Sequence, residues 1–207
     1  MKAALTFATF ERVALIGHAA STDSGRPILM GLNMIVAGDA LTAVATDSYK
    51  LATTSVGVDG NSDGTLNLPA RGIFDVVRTI RSLARTRNIR RPALSSAVVT
   101  ISGEPANETT VSVHYGTSEI AAIALPSIDG KYPNHTNIVK SPEALDAAPN
   151  TPRVAFSPYH AALLHRTVPD GDVLPVVWHI HDELTAIHMT CSSDRAWQGI
   201  LMPVRIT

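Results

Sequence analysis

Cysteine occurs once in the 207 residues, as Cys191. A lone thiol excludes an internal disulfide framework and fits a reducing cytoplasm. Aromatic residues are scarce, at 5%. No stretch approaches the roughly 18 uninterrupted apolar residues that a membrane span needs, so no membrane partner is expected. The opening MKAALTFATF holds one lysine and no long apolar run before Glu11 and Arg12, so no secretory leader is expected either. Also missing are a Walker A loop and the GxGxxG and GxSxG patterns, which leaves a catalytic reading poor and calls for no cofactor. What is present suffices for a real core: 45% of the residues are hydrophobic and the mean hydropathy is +0.12. The chain is expected to be a soluble intracellular protein of one large domain or two small ones.

Charge is balanced only on average. The net charge is −1, yet residues 70–91 hold Arg71, Arg78, Arg81, Arg85, Arg87, Arg90 and Arg91 against Asp75 alone. That stretch carries +6 and the remainder −7, a basic element on an acidic body. Such asymmetry points to a polyanionic partner met at one face.

The chain repeats itself. Three times a short apolar strand leads into an amphipathic helix and then three strand-like runs. The first unit has Leu5–Phe7, a helix over 9–19, then ILMGLNMIV, ALTAVAT and LATTSVGV. The second has Leu66–Leu68, a helix over 69–87, then AVVTIS, TVSVHY and EIAAIAL. The third has Val154–Phe156, a helix over 158–166, then PVVWHIH, LTAIHMT and GILMPVRI. Turn residues fall at matching places, such as Ala37-Gly38-Asp39 and Tyr115-Gly116-Thr117. The expectation is an α+β chain of three βαβββ units. Residues 1–140 form one domain, the proline-bearing 141–153 a linker, and 154–207 half a domain.

In the second helix Ile73, Val76, Val77, Ile80, Leu83 and Ala84 follow a buried stripe. Arg71, Arg78, Arg81 and Arg85 cluster roughly opposite, with Phe74 a flaw near that face. Guanidinium groups in a row neutralise phosphates without reading bases, so a nucleic-acid contact of this kind is sequence-independent and salt-dependent. An arginine-rich face can also be plain solvated surface, but here the near absence of acids to pair with it argues for a partner.

Four runs occur in order: RPILMGLNMIVAGDALTAVATDSYKLATTSVGV (26–58), LPARGIFDVVRTI (68–80), SIDGKYPNHTNIV (127–139) and ILMPVRIT (200–207). Together they resemble one family, the bacterial sliding clamp, β subunit of DNA polymerase III. The first is similar to its middle domain, with an Arg-led strand, a Gly-Asp hairpin and a V-A-T-D-G-[HR]-[RK]-L-A segment. The second is similar to its strand-into-helix segment, the third to its I-D-G-[KR]-[FY]-P stretch, and the fourth to its terminus. The resemblance implies a ring of such units, with helices lining a DNA channel and sheets outside. It implies duplex DNA, a DNA polymerase and clamp-loader subunits as partners, a cytoplasmic, nucleoid-associated location, and no catalysis. The basic stretch Arg71 to Arg91 would face the DNA.

The resemblance also implies an outer pocket for partner peptides. Carried over residue by residue, it comprises Leu29, Thr46, Ser48, Tyr49, Lys50, Leu51, Pro133, Asn137, Ile138, Ile200, Met202, Pro203, Val204 and Arg205. Leu29, Leu51, Ile138 and Ile200 read equally as ordinary core. The chain departs from the family at Ser48, where glycine is usual, and at Asn137, where a basic residue is common.

The family's subunit has six units and this chain has three. Half a domain leaves a sheet edge and an apolar face to be covered. The third unit is therefore expected to pair with that of a second chain, giving a homo-oligomeric ring, a tetramer if twelve units close it. An adaptor of the same fold that binds partner proteins without encircling DNA is the alternative. A metal-dependent nuclease is a weaker one: His179, His181 and His188 lack a supporting ligand motif. Asp47 reads as a turn residue bonding its own backbone.

Overall fold

The computed structural model describes residues 1–139, 154–168, 175–182, 184–192 and 194–204. The expected linker 141–153 lies outside the described residues. β1 (Lys2–Thr6) runs straight into α1 (Phe7–Ile16). The meander β2 (Gly31–Ala37), β3 (Ala40–Thr46) and β4 (Lys50–Gly57) follows, then β5 (Asp59–Ser62) and β6 (Gly64–Pro69). α2 (Ala70–Thr86) and α3 (Arg91–Ser95) lead to the meander β7 (Val98–Ser102), β8 (Glu108–Tyr115) and β9 (Ser118–Pro126). The last elements are α4 (Pro158–His165), β10 (Val176–His179), β11 (Ile187–Cys191) and β12 (Gln198–Leu201).

Local chemistry places these boundaries. Thr6 caps α1, its Oγ1 accepting from the Thr9 N–H at 3.2 Å, so the helix starts two residues before the expected position. Pro27 begins a 3-10 turn, Pro27–Met30, and the strand expected over ILMGLNMIV starts only at Gly31. Gly38 and Gly116 adopt φ +60° in the β2–β3 and β8–β9 turns, a conformation tight hairpins demand and side chains resist. β5 and α3 were not expected. Val154–Phe156 is assigned no strand. Val154 and Phe156 pack against the core, and the Val204 N–H donates to the Ala155 carbonyl at 2.7 Å.

All strand pairings are antiparallel and form two sheets, ordered β5-β1-β7-β8-β9 and β10-β11-β12-β4-β3-β2-β6. The strands before α1 and α2 are exchanged. β1 leaves β2–β4 and pairs with β7, whereas β6 leaves β7–β9 and pairs with β2. The β2–β6 contact is close enough that a Cβ at Gly31 would lie 1.9 Å from Asn67 Oδ1. The exchange seats Leu5, Leu66 and Leu68 in the core, each about 1.5–3 kcal/mol of burial.

Helices α1, α2 and α4 cover the sheets as one layer. α1 packs on β3 and β4, α2 on β6 and β9, and α4 on β4 and β12, while α1 meets α2 directly. One hydrophobic cluster runs through both sheets and this layer. The end of the chain is sewn in by Trp197, fully buried, whose Nε1–H donates to Thr167 Oγ1 at 2.9 Å. Among the described residues no helix is long and apolar enough to cross a membrane.

Candidate nucleic-acid and peptide interfaces

Helix α2 buries Ala70, Ile73, Val76, Val77, Ile80 and Ala84 and exposes Arg71, Arg78, Arg81 and Arg85. Phe74 is no flaw. Its ring stacks on His18 with centroids 4.5 Å apart, and a Cβ on Gly17 would meet that ring at 3.1 Å. Phe74 is thus the seam between α2 and the end of α1. Burial, and then the charge of Arg166, hold His18 below its ordinary pKa, so it adds no positive charge near neutral pH.

A groove of ≈ 970 Å³ runs between α1 and α2. Arg78, Arg81, Arg85 and Arg91 line it together with Arg12 of α1, which the sequence reading missed. The remaining arginines of the basic stretch lie elsewhere. Arg71 borders a second hollow beside Tyr159 and His160, Arg87 donates to the Glu119 carbonyl at 2.7 Å, and Arg90 precedes α3. The expected scarcity of acids holds only along the sequence. Folding brings Glu11 of α1 to 2.6 Å from Arg81, and Asp75 pairs with Arg78 at 2.6 Å. Asp194 pairs with Arg12. The two pairs on α2 lie at the surface and are worth little, about 0–1 kcal/mol, so they yield readily to a phosphate, whereas Asp194 is partly buried.

On the sheet a pocket of ≈ 140 Å³ gathers Leu29, Thr46, Ser48, Tyr49, Lys50, Leu51, Pro133, Ile138, Ile200 and Met202. Ten of the fourteen residues carried over from the resemblance thus converge from four distant parts of the chain. Asn134 and His135 join them. Asn137, Pro203 and the exposed Val204 do not line this pocket, and Arg205 lies outside the described residues. Leu51 and Ile200 form its floor with Val44, a small core separate from the main one. Tyr49, 56% exposed, and Met202, 42% exposed, stand at its rim.

The β3–β4 turn that shapes the pocket is held electrostatically. The Asp47 carboxylate accepts from the Tyr49 and Lys50 N–H groups, each at 2.9 Å, and from the Lys50 ammonium at 2.5 Å. Burial works against the carboxylate, but these donors outweigh it and lower its pKa. The Lys50 side chain is only 2% exposed, so its charge serves Asp47 rather than a ligand. Ser48 sits at φ +82°, which explains why glycine is common here in the family it resembles. His160 of α4 stacks on Tyr49, with centroids 5.3 Å apart at 8°.

Tyr132, inside the quoted IDGKYP segment but not singled out, accepts from the Thr46 N–H at 3.1 Å. Burial first, and the nearby Asp47 charge as well, push its phenol upward, so it stays neutral. A half-buried phenol that fixes the turn is invisible in the sequence. The histidines weighed as ligands are apart in role: His179 bonds Thr190 at 3.0 Å, and His181 and His188 cross edge to face. Among the described residues no three metal-ligating side chains come together.

Residues 6–134 match the family model for the central domain of the DNA polymerase III beta subunit. The whole chain superposes on the DNA polymerase sliding clamp of Bacillus subtilis with a TM-score of 0.72 and 14% identity, covering 100% of this chain and 65% of that one. The beta subunit from Thermotoga maritima gives 0.70 and 11%, covering 100% and 66%. The Pseudomonas aeruginosa clamp solved with bound griselimycin gives 0.70 and 14%, also covering 100% and 66%. The chain therefore has the clamp fold over its full length, while spanning about two thirds of the length of these relatives. No curated protein matches the sequence.

Proposed function

The chain belongs to the DNA polymerase III β-subunit family, and from that premise we propose that it is a DNA sliding clamp. It encircles duplex DNA as a homo-oligomeric ring and tethers a polymerase, without catalysis and with no cofactor. One observation carries the reading: four arginines of the basic stretch and Arg12 converge on a groove of the helical layer, whereas the peptide pocket opens on the sheet side. In a ring the helical layer faces inward, and non-specific guanidinium–phosphate contacts let the ring slide. Linkage, rather than affinity, then keeps it on DNA.

Residues 1–140 are proposed as one complete clamp domain and 154–207 as half of another. A ring of twelve βαβββ units, at three per chain, takes four copies, for which dihedral symmetry is the natural arrangement. The pocket on the β3–β4 turn is proposed to take an extended peptide of polymerase or clamp-loader subunits, anchored by apolar side chains. Cytoplasmic, nucleoid-associated placement follows from that role.

The test is topological. The protein is loaded on a nicked circular duplex, which is then linearised. A clamp slides off the ends and is retained on the uncut circle. Equal retention on both would overturn encirclement and leave the partner-binding adaptor. Tyr49→Ala, at an exposed rim position, should weaken binding of a polymerase-derived peptide about tenfold or more, as loss of an aromatic anchor does. Undiminished binding would remove the pocket from the proposal.

A further inference from the structure

Three short segments precede the helices α1, α2 and α4: β1, β6 and Val154–Phe156. Their helices start after Thr6, Pro69 and Ser157. Counting back from these residues sets Ala4, Asn67 and Ala155 in equivalent positions. One side of each segment is covered by the chain that follows the last strand of its own run. β5 pairs with β1. The Ile128 N–H donates to the Asn67 carbonyl at 2.7 Å, and the Val204 N–H to the Ala155 carbonyl at 2.7 Å. Ala155 thus occupies the place that Asn67 occupies in β6.

The other side differs. β1 lies on β7 and β6 lies on β2, in each case the first strand of the other meander. Among the described residues no strand takes that side of Val154–Phe156. The reciprocal gap is at β10. β2 is flanked by β3 and β6, and β7 by β8 and β1, whereas among the described residues β10 pairs with β11 alone and ends the seven-stranded sheet. This edge is apolar: Val177 is 46% exposed and Trp178 38%. The neighbouring α4, PYHAALLH, is apolar around much of its circumference, yet only Leu164 is buried. An uncharged edge strand and an apolar helix left partly exposed are liabilities in a monomer.

We infer that two copies of the chain exchange Val154–Phe156, each inserting the segment beside β10 of the other and packing α4 against its counterpart. A second copy is the fitting occupant because donor and acceptor are reciprocal, so one two-fold axis satisfies both. A foreign strand would cover β10 and leave Val154–Phe156 unpaired. Phe156 and Trp178 of one chain already stand 5.0 Å apart, which puts donor and acceptor side by side, where such an axis must pass. Register follows from the two pairs within the chain. Asn67 faces Asn33 and Ala4 faces Thr100, each just after the first core residue of the receiving strand, Leu32 or Val99. In β10 the corresponding residue is Val176, partly buried against the core, so Ala155 faces Val177 of the second copy. The exchange deepens the ring reading above and rests on it for its biological role.

The experiment mixes two single variants, Ala155→Cys and Val177→Cys, under a mild thiol oxidant. The exchange expects a covalent heterodimer of twice the 22.0 kDa chain, formed in the mixture well above either variant alone. Cys191, 2% exposed, does not compete. In light scattering, Val177→Asp at this exposed edge should halve the particle mass without loss of helix signal. No heterodimer above the single-variant background would overturn the exchange, as would a particle mass that Val177→Asp leaves unchanged. A cross-linked dimer that is not retained on circular DNA supports the exchange and removes the clamp reading. Topological retention without the cross-link does the opposite.

Discussion

Replacing Arg78, Arg81 and Arg85 together by Ala tests the inward face of the helical layer most directly. All three line the α1–α2 groove and are exposed. Counterion release lowers log K by about 0.9 per log unit of salt for each phosphate neutralised. Losing three contacts per engaged chain should therefore flatten the slope by about 2.7. Between 50 and 200 mM salt, a span of about 0.6 log units, the wild type should then lose about 40-fold more affinity than the variant. The pairs of Arg81 with Glu11 and of Arg78 with Asp75 barely reduce this, being exposed and worth about 0–1 kcal/mol. Arg85, which has no acidic partner among the described residues, should account for the cleanest single share. Fluorescence anisotropy on two duplexes of unrelated sequence, titrated with salt, measures the slope, and light scattering checks that particle mass is unchanged. An unaltered slope on both duplexes would refute the placement of DNA against α2.

Asp47→Asn should cost about 3–5 kcal/mol in denaturant unfolding, because it strands the Lys50 ammonium, 2% exposed, without its counter-ion. Adding Lys50→Met should recover most of that loss; no recovery would mean that the turn, not the ion pair, is what matters. Since the folded Asp47 pKa is lowered from 3.8, its contribution is complete above that ordinary value and is lost as pH falls through the depressed one. The wild type should therefore show an acid loss of stability that Asp47→Asn lacks. Ser48→Gly relieves φ +82° and should raise stability by roughly 1 kcal/mol, the left-handed penalty less the added chain entropy; a loss of stability would show that the Arg26–Ser48 bond at 3.1 Å outweighs strain.

Much of the architecture was legible because it is local. The apolar stripe of α2 marks a helix whatever surrounds it, and the glycines at 38 and 116 mark hairpins. Around α1 and α2 the order of strand, helix and three strands emerged the same way, whereas the strand expected at Val154–Phe156 did not. Boundaries moved where a cap or a proline decided them, as at Thr6 and Pro27. The exchange of β1 and β6 left no trace, because β6 would show the same apolar alternation on either sheet. The pocket was legible only through resemblance: Leu29, Leu51 and Ile200 look like any core residues. Tyr132 and Arg12 escaped even that, since neither spacing nor charge says which distant backbone or groove a side chain will reach.

The sequence by itself determined the helical and strand periods, the basic stretch and the family, all properties of residues near one another or of ordered motifs. Tertiary structure decided what those residues meet. It set Glu11 against Arg81, buried the Lys50 charge on Asp47, joined β12 to β4 so that Ile200 could floor a pocket begun at Leu51, and left β10 an open edge. Pairings of that kind depend on which surfaces remain after the core has closed, and no local pattern encodes the remainder.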